Sequence, residues 1–396
     1  MNSNPRIPGH RLLHSPGPSH VPDEVVHAMS RQPMDMGDPR LAQVIEACEV
    51  GLRRLLQTKN SDVFIYAANG HGAWEAVNVN LLGPGQAVLV AGTGHFSESW
   101  AVQVEATGAR VIRTPWAEGY PIDANAVEQV LRADVQKEIV AVFAVHTDTA
   151  SGVTSDLRSL RAAIDAAAHP ALFVVDVVAS LGAAPFAMDA LGINVVLGAS
   201  QKGLMCPPGL GFAAVDARAM SICERNPTPR FYWDWRLRKS ELSYRKFCGT
   251  PPQNLLRGLE AALALIFEEG VDNVLARHDL MARTVRAAVQ SWSEAGALQF
   301  FGRVPESRSS SVTTILVGPG VDPEAMRTVA RERFQTSVAG GLGPLAGRVF
   351  RIGHLGDMNA AMILGCLGAV EAAMTVQGIP HGRDGLQKAI ACLAAG

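Results

Sequence analysis

Ile193-Asn194-Val195-Val196-Leu197-Gly198-Ala199, continuing as Ser200-Gln201-Lys202-Gly203 and then Cys206-Pro207-Pro208-Gly209, is an apolar run ending in a single lysine. The run reads as a buried strand, and the Gly- and Pro-rich backbone after it is unsuited to a regular helix. Upstream lies a second apolar strand, Ala171-Leu172-Phe173-Val174-Val175, which ends in Asp176 and passes on to Val177-Val178. A buried carboxylate is costly unless a cation or hydrogen-bond donor meets it. Pyridoxal phosphate meets such a pair at both ends. Its ring nitrogen stays protonated against an aspartate, and its aldehyde condenses with a lysine. These two strand ends make that cofactor the leading expectation.

Working outward, further strand-like runs appear at Val63–Ala67, Ala87–Val90, Arg110–Arg113, Ile139–Val145 and Gly211–Val215. Helical stretches such as Ala73–Leu81, Ala124–Leu131 and Leu157–Ala168 alternate with them. Continuous apolar strands alternating with helices predict an α/β fold, with a mostly parallel seven-stranded sheet covered on both faces. Past Pro251-Pro252 the pattern changes to long helices with short strands at Val312–Val317 and Val349–Ile352, which reads as a smaller α+β domain. The expected organisation is an N-terminal extended arm over 1–20, a large cofactor-binding domain over 21–255 and a small C-terminal domain over 256–396. The arm is rich in Pro and Gly and is expected to lie across another surface, a second subunit being one candidate.

Composition removes several classes of function. A formal net charge of −2 provides no electrostatic case for nucleic acid or an anionic membrane. No uncharged apolar run approaches the length of a membrane span, and the N-terminus lacks the apolar core of a signal peptide. Six cysteines are scattered without a CxxC pair, which fits a reducing, cytoplasmic setting and neither a zinc site nor a disulfide framework. Only His10 and His14 share HxxxH spacing, with no glutamate between them, so no metal site is expected.

In a parallel sheet, ligands sit at the carboxyl ends of strands, and the informative residues cluster there. Asn69-Gly70-His71-Gly72 opens a helix, where free backbone N–H groups suit a phosphate; a ligand-free turn explains the glycines equally. Gly92-Thr93-Gly94-His95-Phe96-Ser97 resembles half of a dinucleotide fingerprint. It has Ser97 at the third glycine position and lacks the ribose-binding acid, so a Rossmann site is rejected. Phe96 is placed to stack on a planar ring, with Val178 on the opposite face, although both also read as ordinary packing residues. Thr149, in His146-Thr147-Asp148-Thr149, is placed to bond a phenolic oxygen. Arg351, in Val349-Phe350-Arg351-Ile352-Gly353, sits between apolar neighbours and needs a partner: either a substrate carboxylate or a structural acid.

Together these stretches resemble the class V aminotransferases, in particular the serine/alanine–glyoxylate aminotransferase group. The likeness runs from Pro16-Gly17-Pro18 to Arg351-Ile352-Gly353-His354-Leu355-Gly356 and is most specific at Asp176-Val177-Val178-Ala179-Ser180, Ser200-Gln201-Lys202-Gly203 and Gly340-Gly341-Leu342-Gly343. It implies pyridoxal-phosphate fold type I and a homodimer with active sites shared at the subunit interface. By that likeness Lys202 is the covalent lysine and proton shuttle, and Asp176 pairs with the pyridine nitrogen. Gly70, His71 and Gln201 contact the phosphate region, Phe96 and Val178 flank the ring, and Thr149 faces its phenolic oxygen. Arg351 holds the substrate carboxylate near the backbone of Gly17, and Thr250 reaches the neighbouring subunit's phosphate.

Two departures from the family pattern stand out. Relatives carry a tyrosine where this chain has Phe247, and many carry a His-Arg pair where it reads Met34-Asp35-Met36-Gly37-Asp38-Pro39. The implied activity is ping-pong transfer of an amino group from a small L-amino acid (serine, alanine or aspartate) to glyoxylate or pyruvate. The alternative is a lyase or cysteine desulfurase of the same fold. That enzyme needs a reactive cysteine on a small-domain loop, and Val338–Gly347 contains none.

Overall fold

The computed structural model describes residues 8–396. The first seven residues, the start of the expected arm, lie outside the described residues. Fourteen strands form among the rest. In chain order they are β1 (Leu12–His14), β2 (Asp62–Ala68), β3 (Ala87–Ala91), β4 (Arg110–Arg113), β5 (Ile139–Val145), β6 (Thr147–Asp148) and β7 (Val153–Thr154). There follow β8 (Leu172–Asp176), β9 (Val195–Ala199), β10 (Gly209–Val215), β11 (Leu298–Phe300), β12 (Val312–Val317), β13 (Thr336–Gly340) and β14 (Val349–Gly353).

Seven of them make one sheet in the order β2-β10-β9-β8-β5-β3-β4. Every pair is parallel except those of β10, which runs antiparallel to both β9 and β2. Strands β3, β8 and β9 are buried at every position, as two covered faces require, which is why their sequences show no polar alternation. Helices pack both faces. On one side Leu41, Ile45, Leu52, Phe173, Val196 and Phe212 share a core; on the other Trp74, Trp100, Phe143, Leu197 and Trp235 do. Register places Asp176 beside Val145 on β5 and Leu197 on β9, so the carboxylate emerges level with the neighbouring strand ends.

The second sheet has the order β1-β13-β14-β12-β11 and buries Trp292, Phe350, Met326 and Leu367 beneath the helices Val271–Trp292, Pro323–Arg333 and Ala360–Val376. Sequence patterning did not predict β1, β11, β13 or the C-terminal helix Gly385–Ala395. Thr336-Ser337-Val338-Ala339-Gly340 reads as a loop by itself and becomes a strand because β1 and β14 pair with it on either side. In the described part of the expected arm, Leu12–His14 pair in parallel with Thr336–Val338 of their own chain. The helix Gln253–Glu269 packs on α1 (Asp23–Met29) and α2 (Pro39–Leu56), and its Leu256, Leu259 and Leu263 enter the core of the seven-stranded sheet. Among the described residues no helix is long and apolar enough to cross a membrane, and no cluster of three His, Cys, Asp or Glu is placed to hold a metal ion.

Candidate active site

A cavity of about 210 Å³ opens at the carboxyl ends of the seven-stranded sheet. Lys202, Asp176, Gly70, His71, Phe96, Thr149, Val178 and Gln201 all line it, residues drawn from five separate strand ends. Two larger clefts, of about 370 and 390 Å³, contain neither Lys202 nor Asp176. Chemistry rather than size therefore picks the site.

Lys202 stands just beyond β9, and its Nζ donates to the carbonyl of Pro16. The arm comes this close because residue 17 is glycine: at φ +127° it is in a region that side chains rarely adopt, and a Cβ there would collide with the Lys202 side chain. Ser19 Oγ donates to the Lys202 carbonyl at 2.8 Å, tying the arm to the turn. Burial, then the charge of Arg351, pulls the Lys202 ammonium down to about 8, while Asp176 opposes the fall.

Asp176 is 4 % exposed at the end of β8. Its Oδ2 accepts from Trp74 Nε1 at 2.7 Å, and its Oδ1 accepts from the Val178 backbone N–H at 2.6 Å. Burial raises its carboxyl to about 6, against the two donors and Lys202, which favour the charged form. At neutral pH it is a desolvated anion a short way from a cationic lysine, with room between them for a third group.

Helix α3 (Gly70–Leu81) begins at the cavity, and the Asn69 side chain caps it by accepting from Gly72 N–H at 3.2 Å. Gly72 and Ala73 direct their N–H groups back to Asn69, leaving those of Gly70 and His71 to point outward. A Cβ on Gly70 would press on Val178 at 3.1 Å, so the two positions shape one wall. The Gln201 Oε1 is buried with no partner. Helix α4 (His95–Ala106) presents Phe96, whose N–H is held by Asp148 Oδ2 at 2.9 Å.

Arg351 is 5 % exposed on β14. Its Nε donates to Gly340 O and its Nη1 to Thr149 O, both at 2.7 Å, and among the described residues no carboxylate lies within ion-pair distance. Burial lowers its guanidinium to about 10, with Asp148 opposing. Two carbonyls thus aim a buried cation that has no acid of its own. Among the described residues, the structural salt bridge admitted as an alternative does not form.

Thr250 does not line this cavity. It is exposed on the turn after the helix Ser243–Lys246. Phe247 is buried in the core of the large sheet rather than facing the cavity. The Met34–Pro39 segment does not line the cavity either: Met34 is clamped through both backbone groups by the Gln253 amide, and Asp38 caps α2. Sequence reasoning missed Trp74. It falls one helical turn after Gly70, a spacing that returns it to the same face, and that was the available signal. It also missed Pro16 and Ser19 as contacts of Lys202. No cysteine lines the cavity. Cys366 is buried in a helix and its thiol is pushed upward by burial, while the Cys206 thiol is pushed up to about 12.

Comparison with known proteins shows what the chain as a whole is similar to. The family model for class-V aminotransferases matches residues 11–343. The chain is 38% identical over 367 residues to an L-aspartate–glyoxylate aminotransferase of Paracoccus denitrificans, covering 92% of this chain and 91% of that one. It is 37% identical over 379 residues to a serine–glyoxylate aminotransferase of Methylorubrum extorquens, covering 94% and 93%. Among solved structures, a ureidoglycine–glyoxylate aminotransferase from Bacillus subtilis superimposes with a TM-score of 0.89 at 25% identity, covering 99% of this chain and 100% of that one.

Proposed function

The chain belongs to the class-V aminotransferase family, and on that premise we propose that it transfers the amino group of a small L-amino acid (serine, alanine or aspartate) to glyoxylate or pyruvate. The carrying observation is a half-buried lysine and a buried aspartate facing one cavity, with a buried arginine that has no acid partner among the described residues beside them. The walls fit pyridoxal phosphate: a desolvated anion for the ring nitrogen, a lysine for the aldehyde, and outward N–H groups at Gly70 and His71, with the Gln201 side chain beside them, for the phosphate. When bound, the cofactor supplies a conjugated ring that delocalises the charge left at Cα once its proton departs.

The residues do the rest. Asp176 keeps a negative charge against the ring nitrogen, because its two N–H donors offset part of the burial penalty. Lys202, with its ammonium near 8, is close enough to neutrality at physiological pH that it would accept the Cα proton of the amino acid and pass it to the cofactor within the same half-reaction, the reverse transfer serving the 2-oxo acid in the second. Arg351 grips the substrate carboxylate with the guanidinium nitrogens its carbonyl partners leave free, and so orients the Cα–H bond. Phe96 and Val178 flank the ring and exclude water, and Thr149 faces the phenolic oxygen. A desulfurase lacks a nucleophile here, since no cysteine reaches the cavity.

The active unit is a homodimer with shared sites. Phe231, Leu237, Leu242 and Tyr244 leave an apolar surface exposed along one segment, and Thr250 lies exposed just beyond it. That surface suits a second copy, which would bring Thr250 to the partner's phosphate. The large domain is taken over 21–255 and the small domain over 256–396, with the helix Gln253–Glu269, which packs on α1 and α2, at their junction. Six free thiols suit a reducing, cytoplasmic setting.

The test is a stopped-flow absorbance scan of the protein loaded with pyridoxal phosphate and mixed in turn with serine, alanine, aspartate and other small amino acids. Conversion to a pyridoxamine spectrum, reversed by glyoxylate, identifies the donor. Failure to bind the cofactor at all refutes the reading.

A further inference from the structure

We infer that Trp74 is a positioning residue: its indole N–H fixes the orientation and the charge of Asp176, an assignment that rests on the cofactor reading above. The indole is 2 % exposed and can only donate. It meets Asp176 Oδ2 at 2.7 Å while Val178 N–H meets Oδ1 at 2.6 Å. Holding both oxygens stops the carboxylate from turning about its last bond, so the remaining lone pairs keep one direction toward the cavity. Both donors also favour the ionised form.

The indole is itself held firmly. It stacks on Trp100 with centroids 5.5 Å apart and planes within 5°, and Trp100 stacks on Phe143 at 4.4 Å. Trp100 Nε1 donates to Asn78 Oδ1 at 2.9 Å, Asn78 Nδ2 to Gln103 Oε1 at 3.2 Å, and Gln103 Nε2 to the His71 carbonyl at 2.9 Å. The His71 ring lies 4.5 Å from the Trp74 ring. One aromatic stack therefore sets the carboxylate and the opening turn of α3 at a fixed separation, which are the two ends any bound pyridoxal phosphate must span. A residue that only filled space would account for the stacking but not for control of the Asp176 proton.

The experiment follows the side-chain carboxyl ¹³C signal of Asp176 through a pH titration of the cofactor-free protein, assigned with Asp176→Asn. Losing one donor to a buried anion in Trp74→Phe is expected to move the midpoint up by about one pH unit. Trp100→Phe, which loosens the stack but keeps the donor, leaves the midpoint in place. An unchanged midpoint in folded Trp74→Phe overturns the inference, as does an equal shift in Trp100→Phe. Should Trp74→Phe fail to fold, Asp176→Asn in ¹⁵N-labelled protein decides: one indole N–H resonance must move, and none moving overturns it. In loaded protein, the pH at which the cofactor band is half lost should rise by the same about one unit in Trp74→Phe. A band that keeps its pH dependence after the Asp176 midpoint has moved overturns the link to the cofactor. Absence of any band in wild type instead refutes the cofactor reading, and the cofactor-free titration still decides the role of Trp74.

Discussion

Replacing Lys202 with methionine should stabilise the cofactor-free protein while abolishing cofactor capture. Burial and Arg351 bring the Lys202 ammonium from its usual 10.5 to about 8. At about 1.36 kcal/mol per pH unit, keeping that charge inside costs about 3 kcal/mol below pH 8. Solvent screening at a half-buried group makes this a ceiling. Methionine also forfeits the bond to Pro16 O, worth about 1 kcal/mol, and removes a cation from beside Asp176. The net expectation is a gain of about 1–2 kcal/mol at pH 7. The pH dependence has a definite sign. Between about 8 and 10.5 the unfolded chain holds a proton on this lysine and the folded chain does not, so wild-type stability rises with pH through that window. The methionine variant has no such rise, and the gap between the two proteins closes toward the upper end. Urea unfolding of both cofactor-free proteins, followed by tryptophan fluorescence at pH 7 and at pH 10, measures it. A variant less stable than wild type at pH 7, or a gap that ignores pH, would show that Lys202 is not enclosed as described.

Three further outcomes are expected. Cofactor loading should accelerate with pH up to about 8, where Lys202 loses its proton, and fall away below about 6 as Asp176 gains one; stopped-flow absorbance across that range reports both limbs. Arg351→Lys should raise KM for the amino donor by about tenfold or more with the cofactor spectrum unchanged, because an ammonium cannot repeat the forked contact; an unaltered KM would exclude the carboxylate grip. Mixing inactive Lys202→Ala chains with Thr250→Ala chains should restore activity to a share of dimers if each site combines Lys202 of one copy with Thr250 of the other, and subunit-exchange assays that show no recovery would rule out shared sites.

The large sheet was legible because its strands are buried on both faces and written as unbroken apolar runs. Arg110–Arg113 and Ile139–Val145 match the observed strands to the residue. Site residues carried by strand ends were legible for the same reason. Asp176 and Lys202 each close an apolar run, and topology alone then brings those ends together. What escaped depends on contacts that sequence spacing does not encode. β13 exists because two other strands pair with it. The hydrogen bond from Trp74 to Asp176 spans 102 residues, and the one from Lys202 to Pro16 spans 186. Arg351 shows the limit most clearly: its burial could be read from Val349-Phe350 and Ile352, but whether an acid awaited it could not.

The path of the arm explains why residues so far apart in the chain act at one lysine. β1 is fastened to β13, and a Cβ on Gly353, at the end of β14, would strike the Ser15–Pro16 backbone, so the arm follows the small sheet closely. Two residues beyond Pro16 and Gly17 it turns onto the large sheet, where Ser19 bonds Lys202 O and the Ser19 N–H bonds Gln201 O. Arg351 stands on β14 of that same small sheet and donates to Thr149, in the β6–β7 turn that follows β5 of the large one. The Lys202 amine and the Arg351 guanidinium therefore take their positions from the same pair of sheets through two independent connections. A shift of one sheet against the other would move the Pro16 carbonyl away from the lysine and the guanidinium away from Thr149 together. Under the proposed roles, cofactor attachment and substrate grip would thus depend on one inter-sheet geometry. Gly17, the residue whose missing side chain lets the arm cross Lys202, is where that dependence admits the least substitution.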